Sequence, residues 1–312
     1  MFGYIIKRLL WIIPVLIGVS LILFGIMQLI PGDPASVLLG PKASQEAVDT
    51  LNERFGLNKP IYTQYYLLMK NFITGNLESI YYRVTVISII LDKLKATIEL
   101  GLTSLVIAVV LAIPIGIVAA VKKNSFFDYF SMMLATLGIS VPVFFTGIIL
   151  IYIFSVNFNL LPSSGYGGSL LTVQGWRHII LPAVSLSSIL IASTSRLTRS
   201  SMLDILQEDY IRTARAKGLK EKIVINKHAF KNAMIPVITN IGNQMALLFG
   251  GAILTETVFA WPGIGRLAVK AVSYRDQPLV FGTILVLSFL YVLTNLFIDI
   301  LYVFIDPQIS YS

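Results

Sequence analysis

Two histidines, His178 and His228, and no cysteine make up the soft metal-ligand inventory of this 312-residue chain. Neither histidine has a second histidine or a carboxylate at ligand spacing, so no metal site is expected. Without cysteine there is no thiolate nucleophile and no disulfide framework. No Gly-x-x-x-x-Gly-Lys-Ser/Thr loop occurs, which removes one common cradle for nucleotide phosphates. No catalytic residues are expected, and any ATP hydrolysis tied to this chain belongs to a partner.

Polar chemistry instead gathers in two places. In one long apolar run, Asn240, Asn243 and Gln244 recur three and four residues apart, which places them on one helix face beside Thr239. Such a stripe fits two roles, the lining of a water-filled substrate path or hydrogen-bonded glue between helices. The second place is a basic loop, Arg196 to Lys231, which holds nine of the 24 Lys and Arg residues. Ionisable residues are otherwise nearly absent from the apolar runs. Glu99 and Glu256 fall near one set of ends, and Arg196, Arg199 and Asp299 near the other. A transporter driven by an ion gradient needs buried ionisable groups to carry that ion, so a passive pathway gated from elsewhere fits better.

The elements that must position these residues are membrane helices. The chain is 56% hydrophobic and 13% charged, with a mean hydropathy of +0.80, far too apolar for an ordinary soluble domain. A span needs roughly 20 mostly apolar residues. Six stretches qualify: Leu9–Ile30, Thr97–Val121 with Pro114 as a kink, Tyr129–Ser155, Ile179–Thr198, Pro236–Phe259 and Leu279–Ile305. The fourth is the least apolar, diluted by Ser185, Ser187, Ser188, Ser193 and Thr194. The first is longer than the apolar core of a signal peptide and ends in Pro31-Gly32-Asp33-Pro34 without a small-x-small site, so it reads as a retained span.

The excess of Lys and Arg in short loops sets orientation. The Arg196–Lys231 loop is expected in the cytoplasm, and Lys7-Arg8 and Lys122-Lys123 fall on the same side, because an even number of spans separates them. The net charge of +8 is thus topology information, and no nucleic-acid partner is expected. The expected fold is an all-α membrane protein with six transmembrane helices, both termini cytoplasmic, as one domain over residues 1–312. Residues 31–96 should form an extracytoplasmic helical cap between spans one and two. In it, Ser44 is suited to an N-cap and Gly56 to a helix end, and a second helix should run from near Pro60 to Thr74. A third amphipathic stretch, Val86 to Lys95, should lie along the outer membrane surface before span two.

Within the cytoplasmic loop, residues 201–235, the run Glu208-Asp209-Tyr210-Ile211-Arg212-Thr213-Ala214-Arg215-Ala216-Lys217-Gly218-Leu219 predicts a short helix. It should start at the acidic pair and end at Gly218. Small Ala214, Ala216 and Gly218 should let a partner surface approach closely. This run, followed by Asn232-Ala233-Met234-Ile235-Pro236, resembles the "EAA" loop of permease subunits of binding-protein-dependent ABC importers in the dipeptide/oligopeptide/nickel group. The resemblance extends over essentially the whole chain. It includes Pro31-Gly32-Asp33-Pro34, Phe55-Gly56-Leu57-Asn58-Lys59-Pro60, Thr97-Ile98-Glu99-Leu100 and Arg199-Ser200-Ser201-Met202-Leu203. It continues in Phe259-Ala260-Trp261-Pro262-Gly263-Ile264-Gly265-Arg266 and the closing Asp306-Pro307. Two departures stand out. Arg212-Thr213-Ala214 replaces an acidic residue and two alanines, and the interval from Gly218 to Pro236 is longer than the general pattern. Glu78 also stands where the group often has glycine.

What the resemblance implies is a permease subunit of the bacterial or archaeal cytoplasmic (inner) membrane. Glu208, Asp209, Ala214, Ala216, Gly218 and Leu219 would couple it to the ATPase. Its implied partners are a second homologous permease, two ATP-binding-cassette ATPases that hold the ATP and Mg, and an extracytoplasmic substrate-binding protein. The substrate is expected to be a dipeptide or oligopeptide, with glutathione or a nickel chelate as alternatives. A channel or a structural membrane protein is the reading from outside this class. Trp261 and Arg266 lie on the expected outer side and suit an anchor for the binding protein. Trp261 equally suits a membrane-interface anchor.

Overall fold

The computed structural model describes residues 2–29 and 44–305, leaving aside the side chains of residues 2–7, 51, 246, 247, 249, 251, 299 and 301–305. The Pro31-Gly32-Asp33-Pro34 and Asp306-Pro307 motifs, the start of the expected cap and the Asp299 side chain lie outside the described residues. Among the described residues the structure is helical, with a lone antiparallel bridge between Glu78 and Thr85. The helices are α1 (Phe2–Leu29), α2 (Gln45–Phe55), α3 (Ile61–Ile73), α4 (Val86–Val121), α5 (Phe126–Ser140) and α6 (Val143–Leu150). They continue with α7 (Val173–Leu206), α8 (Asp209–Ala216), α9 (Phe230–Val258), α10 (Ile264–Ser273) and α11 (Gln277–Ile305). π-helical segments, Ile151–Asn157 and Val224–Ala229, follow α6 and precede α9.

Of these, α1, α4, α7 and α11 are each long and apolar enough to cross a membrane, and α5 with α6 forms a fifth, bent candidate. That bent pair corrects the expectation of one continuous third span. The helix breaks at Val141-Pro142 and turns through 111°. Pro142 has no N–H to donate and disfavours a helical conformation in the residue before it, and Val141 is extended, at φ −88 and ψ 126. Val86 to Lys95 is corrected as well. It is the first part of α4, whose 36 residues run without interruption through Pro114, because no glycine or proline separates the amphipathic stretch from the apolar one.

The chain divides into two compact units. The first comprises Met1–Thr97 and Pro262–Val292. Its core joins Leu23 and Met27 of α1, Val86 and Ile90 of α4, Ile264 and Leu267 of α10, and Leu279 and Phe281 of α11, with Leu68 and Phe72 of α3 packed against them. Ser44 caps α2 by accepting from Ala47 N–H at 3.3 Å, and Gly56 ends it at φ +67. A cavity of about 300 Å³ opens between α1, α2 and α3, with Arg54, Lys59, Gln64 and Glu78 in its wall.

The second unit comprises Ile98–Trp261 and Leu293–Ser312, and α7 is its central element. Although α7 is the least apolar of the four single-helix candidates, it is the most buried, at 61% of its best window. Its hydroxyls explain how. Ser187, Ser195 and Thr198 are buried and donate to carbonyls three or four residues back in their own helix, and Ser185 donates to Val143 O at 2.9 Å. Each therefore costs little desolvation while leaving α7 slim enough for close packing. At Gly116 of α4 a Cβ would lie 2.5 Å from Thr198 Cβ and 2.6 Å from Ser195 O. Gly116→Ala must push two helices apart, so we expect a loss of about 1–3 kcal/mol, read as a lower unfolding temperature of the purified protein.

Candidate functional site

The polar loop folds into a compact device around α8. Glu208 is the N-cap in extended geometry without a side-chain cap bond, and its carbonyl accepts from Ile211 and Arg212 N–H at 3.0 and 3.2 Å. Asp209 stands in the first turn, where the helix dipole favours an acid. At the other end Gly218 takes φ +75 and donates its N–H to Arg215 O at 2.9 Å. Arg215 Nη2 reaches Glu221 Oε1 at 2.8 Å and closes the loop. The guanidinium hydrogen bond holds the Glu221 carboxyl below its usual range. That contribution is present above the ordinary carboxylate range and fades as pH falls through the lowered value. It is small, because both side chains are about half exposed.

One face of α8 is embedded. Ile211 and Ala214 pack with Ala120 at the end of α4, Met202 of α7, Val224 and Ala229 of the π-helical segment, and Ala233, Met234 and Val237 of α9. Asn232 Nδ2 donates to Tyr210 Oη at 2.9 Å, a second tie between α8 and the first turn of α9. The other face, Arg212, Thr213, Ala216, Lys217, Gly218 and Leu219, is exposed, as are Glu208 and Asp209. This corrects the expectation for Ala214. At 7% exposure it packs inward, so its small side chain serves internal packing and offers no surface to a partner.

The three residues of the α9 stripe have different surroundings. Gln244 Oε1 accepts from Ser193 of α7 at 2.8 Å, Asn243 is exposed, and Asn240 Nδ2 is buried without a hydrogen-bond partner among the described residues. Among the described residues, then, glue within the chain is seen for Gln244.

Trp261 requires a further correction, because it is fully buried and can anchor neither a docked protein nor a membrane interface. Its ring meets Tyr166 edge-on at 4.9 Å, and Tyr166 Oη donates to Glu99 Oε2 at 2.8 Å. Burial, reinforced by Glu99, pushes the Tyr166 hydroxyl up to about 12. Arg266 is partly exposed. The sequence reading also missed an ion pair between Asp128 of α5, 1% exposed, and Arg199 of α7, with Nη2 to Oδ2 at 2.7 Å. Asp128 also accepts from Asn124 N–H at 3.0 Å. Arg199 near a span end and an acid just after Lys122-Lys123 were the available signals.

Fold and site together define a class: a multi-helix membrane subunit whose polar loop is a rigid helix seated on the ends of three long helices, with no cluster of potential metal ligands among the described residues. Residues 112–311 match the family described as "Binding-protein-dependent transport system inner membrane component", and residues 1–101 match its N-terminal companion. The chain is 44% identical to the dipeptide transport system permease protein DppB of Alkalihalophilus pseudofirmus and 42% identical to the glutathione transport system permease protein GsiC of Escherichia coli K12, over the full length of both partners in each case. Among solved structures it is similar to the MetNI methionine ABC transporter, with TM-score 0.56 and 16% identity over 70% of this chain and 96% of that one. An amino acid ABC transporter matches with TM-score 0.51 and 15% identity over 69% and 93%. The chain belongs to the inner-membrane permease components of binding-protein-dependent ABC transporters.

Proposed function

We propose that this chain is one of two homologous permeases that form the path for short peptides through the cytoplasmic membrane, driven by two ATPases that hold the ATP and Mg. Supporting a peptide substrate is full-length similarity to relatives named for dipeptide and glutathione transport. The observation that carries the coupling role is the two-faced α8. One face is locked to α4, α7 and α9, and the other, with Glu208, Asp209, Ala216, Gly218 and Leu219, is open to an ATPase groove. A push on the open face moves the ends of three long helices together, which is how a two-state pathway is biased from outside. We assign exposed Asn243, with Asn240 beside it, to the lining of that path. The chain itself does no chemistry.

The proposed topology is one membrane domain of six spans, with α9 as the fifth, both termini in the cytoplasm and the α2–α3 region outside. Because the chain has no cysteine, single introduced thiols report it directly. A thiol at Lys220 is expected to react only from the cytoplasmic side and one at Glu46 only from outside. The reverse pattern would overturn every sided role assigned here. Function is tested by ATP-dependent uptake into vesicles holding the whole complex, with dipeptides, longer peptides, glutathione and nickel chelates compared. Accumulation of the chelate alone would reject the peptide reading, and flux without ATP would make the assembly a channel.

A further inference from the structure

Residues 79–85 close on themselves as a tight turn. Ser79 N–H donates to Val84 O at 2.9 Å, Arg83 N–H to Ser79 O at 3.0 Å, and Val86 N–H to Leu77 O at 2.7 Å. At its tip Arg83 is held at φ +56, and Arg275, in the turn between α10 and α11, at φ +51. This is a left-handed conformation that side chains other than Gly, Asn and Asp rarely adopt, and such strain persists only where the surroundings enforce it. Here the fully buried Asp276 does so. One carboxylate oxygen accepts from Ser79 Oγ–H and from Tyr81 N–H at 3.0 Å, and the other accepts from Leu279 N–H at 3.1 Å, capping α11.

The turns so bolted together display a rigid aromatic surface. Tyr81 stacks on Tyr274 with centroids 4.0 Å apart and planes 10° apart, and Tyr82 meets both rings edge-on. Tyr81 is nonetheless 47% exposed, and Tyr82, Arg83, Val84, Val272 and Arg275 are exposed beside it. Of the nearby acids, Asp276 lies inside the bolt and Glu78 is on Arg54 at 2.6 Å, and Arg83 brings a positive charge to the exposed surface. On the α4 side thirteen residues, including Asp92, Lys93 and Lys95, lie between Val86 and the charge-free run that starts at Leu100, whereas on the α11 side Arg275 stands four residues before Leu279. From Val86 to Leu100 that is about 21 Å of helical rise on the α4 side.

We propose that Tyr81, Tyr82, Arg83, Tyr274 and Arg275 form the docking platform for an acidic face of the soluble binding protein. This rests on the importer reading above and replaces the buried Trp261 as its outer anchor. Tyrosine and arginine dominate interface energetics, and a surface already immobilised loses little entropy on binding.

The test uses the whole importer in lipid vesicles, with ATP hydrolysis measured against the concentration of substrate-loaded binding protein. Arg83→Glu, and Tyr81→Ala with Tyr82→Ala, should raise the half-maximal concentration by about tenfold or more while hydrolysis without binding protein stays unchanged. Arg83→Gly keeps the turn, because glycine favours that φ, yet removes the guanidinium. It should weaken docking with an unfolding temperature equal to or above wild type. Added salt should weaken the wild type more than Arg83→Glu. Superimposable stimulation curves overturn the platform, as does loss of the second membrane subunit on purification, which would make this a permease–permease contact. A defect that disappears in vesicles without anionic lipid overturns it in favour of a membrane contact. A wild-type importer unmoved by any binding protein fails the importer reading before any variant is compared.

Discussion

Ala216→Trp is expected to abolish uptake, by tenfold or more, in a protein that still inserts, folds and melts as wild type does. Ala214→Trp, two residues earlier, is expected to lose the fold. Both place an indole on the same short helix, and the chemistry of the change is identical. The difference is which face receives it. Ala216 points to solvent, so its indole meets nothing in the chain and obstructs only what docks there. Ala214 is buried, at 7% exposure, in the cluster that also holds Ala120, Met202, Val224 and Ala233, so an added ring overpacks it, at about 1–3 kcal/mol or more. Gly218→Val is the intermediate case. No atom lies within 4 Å of the Cβ it would gain, so its whole cost is the left-handed φ of +75, about 1–2 kcal/mol per residue for a side chain with a Cβ. It should therefore loosen the end of α8 and uncouple ATP hydrolysis from uptake without unfolding the membrane helices. Uptake, ATPase rate, ATPase co-purification and unfolding temperature on one preparation decide the matter. Full uptake by Ala216→Trp with the ATPase retained would show that α8 is not the coupling element.

Asp128→Asn is expected to be strongly destabilising although it is isosteric. The carboxylate is buried against Arg199 and Asn124 N–H, and removing its charge leaves a guanidinium 24% exposed with nothing to neutralise it. Breaking one partner of a buried pair costs about 3–5 kcal/mol, whereas replacing both partners by apolar groups is often nearly neutral. Asp128→Leu with Arg199→Leu should thus recover most of the stability that Asp128→Asn loses. Thermal unfolding of the three purified proteins tests this, and equal stability of Asp128→Asn and wild type would reduce the pair to a surface contact.

The sequence made some of this legible and hid the rest for definable reasons. Apolar runs located the long helices, and the acidic start and glycine stop located α8, because both are local signals. The bend at Val141-Pro142 was visible as a proline but masked by apolar residues on both sides of it. Ala214 and Ala216 look alike in one dimension, and only the packing of α4, α7 and α9 tells them apart. Trp261 is buried in the structure, its ring against Tyr166, 95 residues earlier, and Arg199 is paired by Asp128, 71 residues earlier. No local pattern predicts either partner. The unusual residue Glu78 marked a real peculiarity, since its carboxylate holds Arg54 at the cavity wall.

The π-helical segment Val224–Ala229 bears on the long interval between Gly218 and Pro236. A π turn holds an extra residue relative to an α turn while its neighbours remain α-helical. It is the natural form for a one-codon insertion to take inside a helix. Chain length between α8 and α9 can therefore change by a single residue, with the surplus absorbed as bulge and the register of both helices preserved.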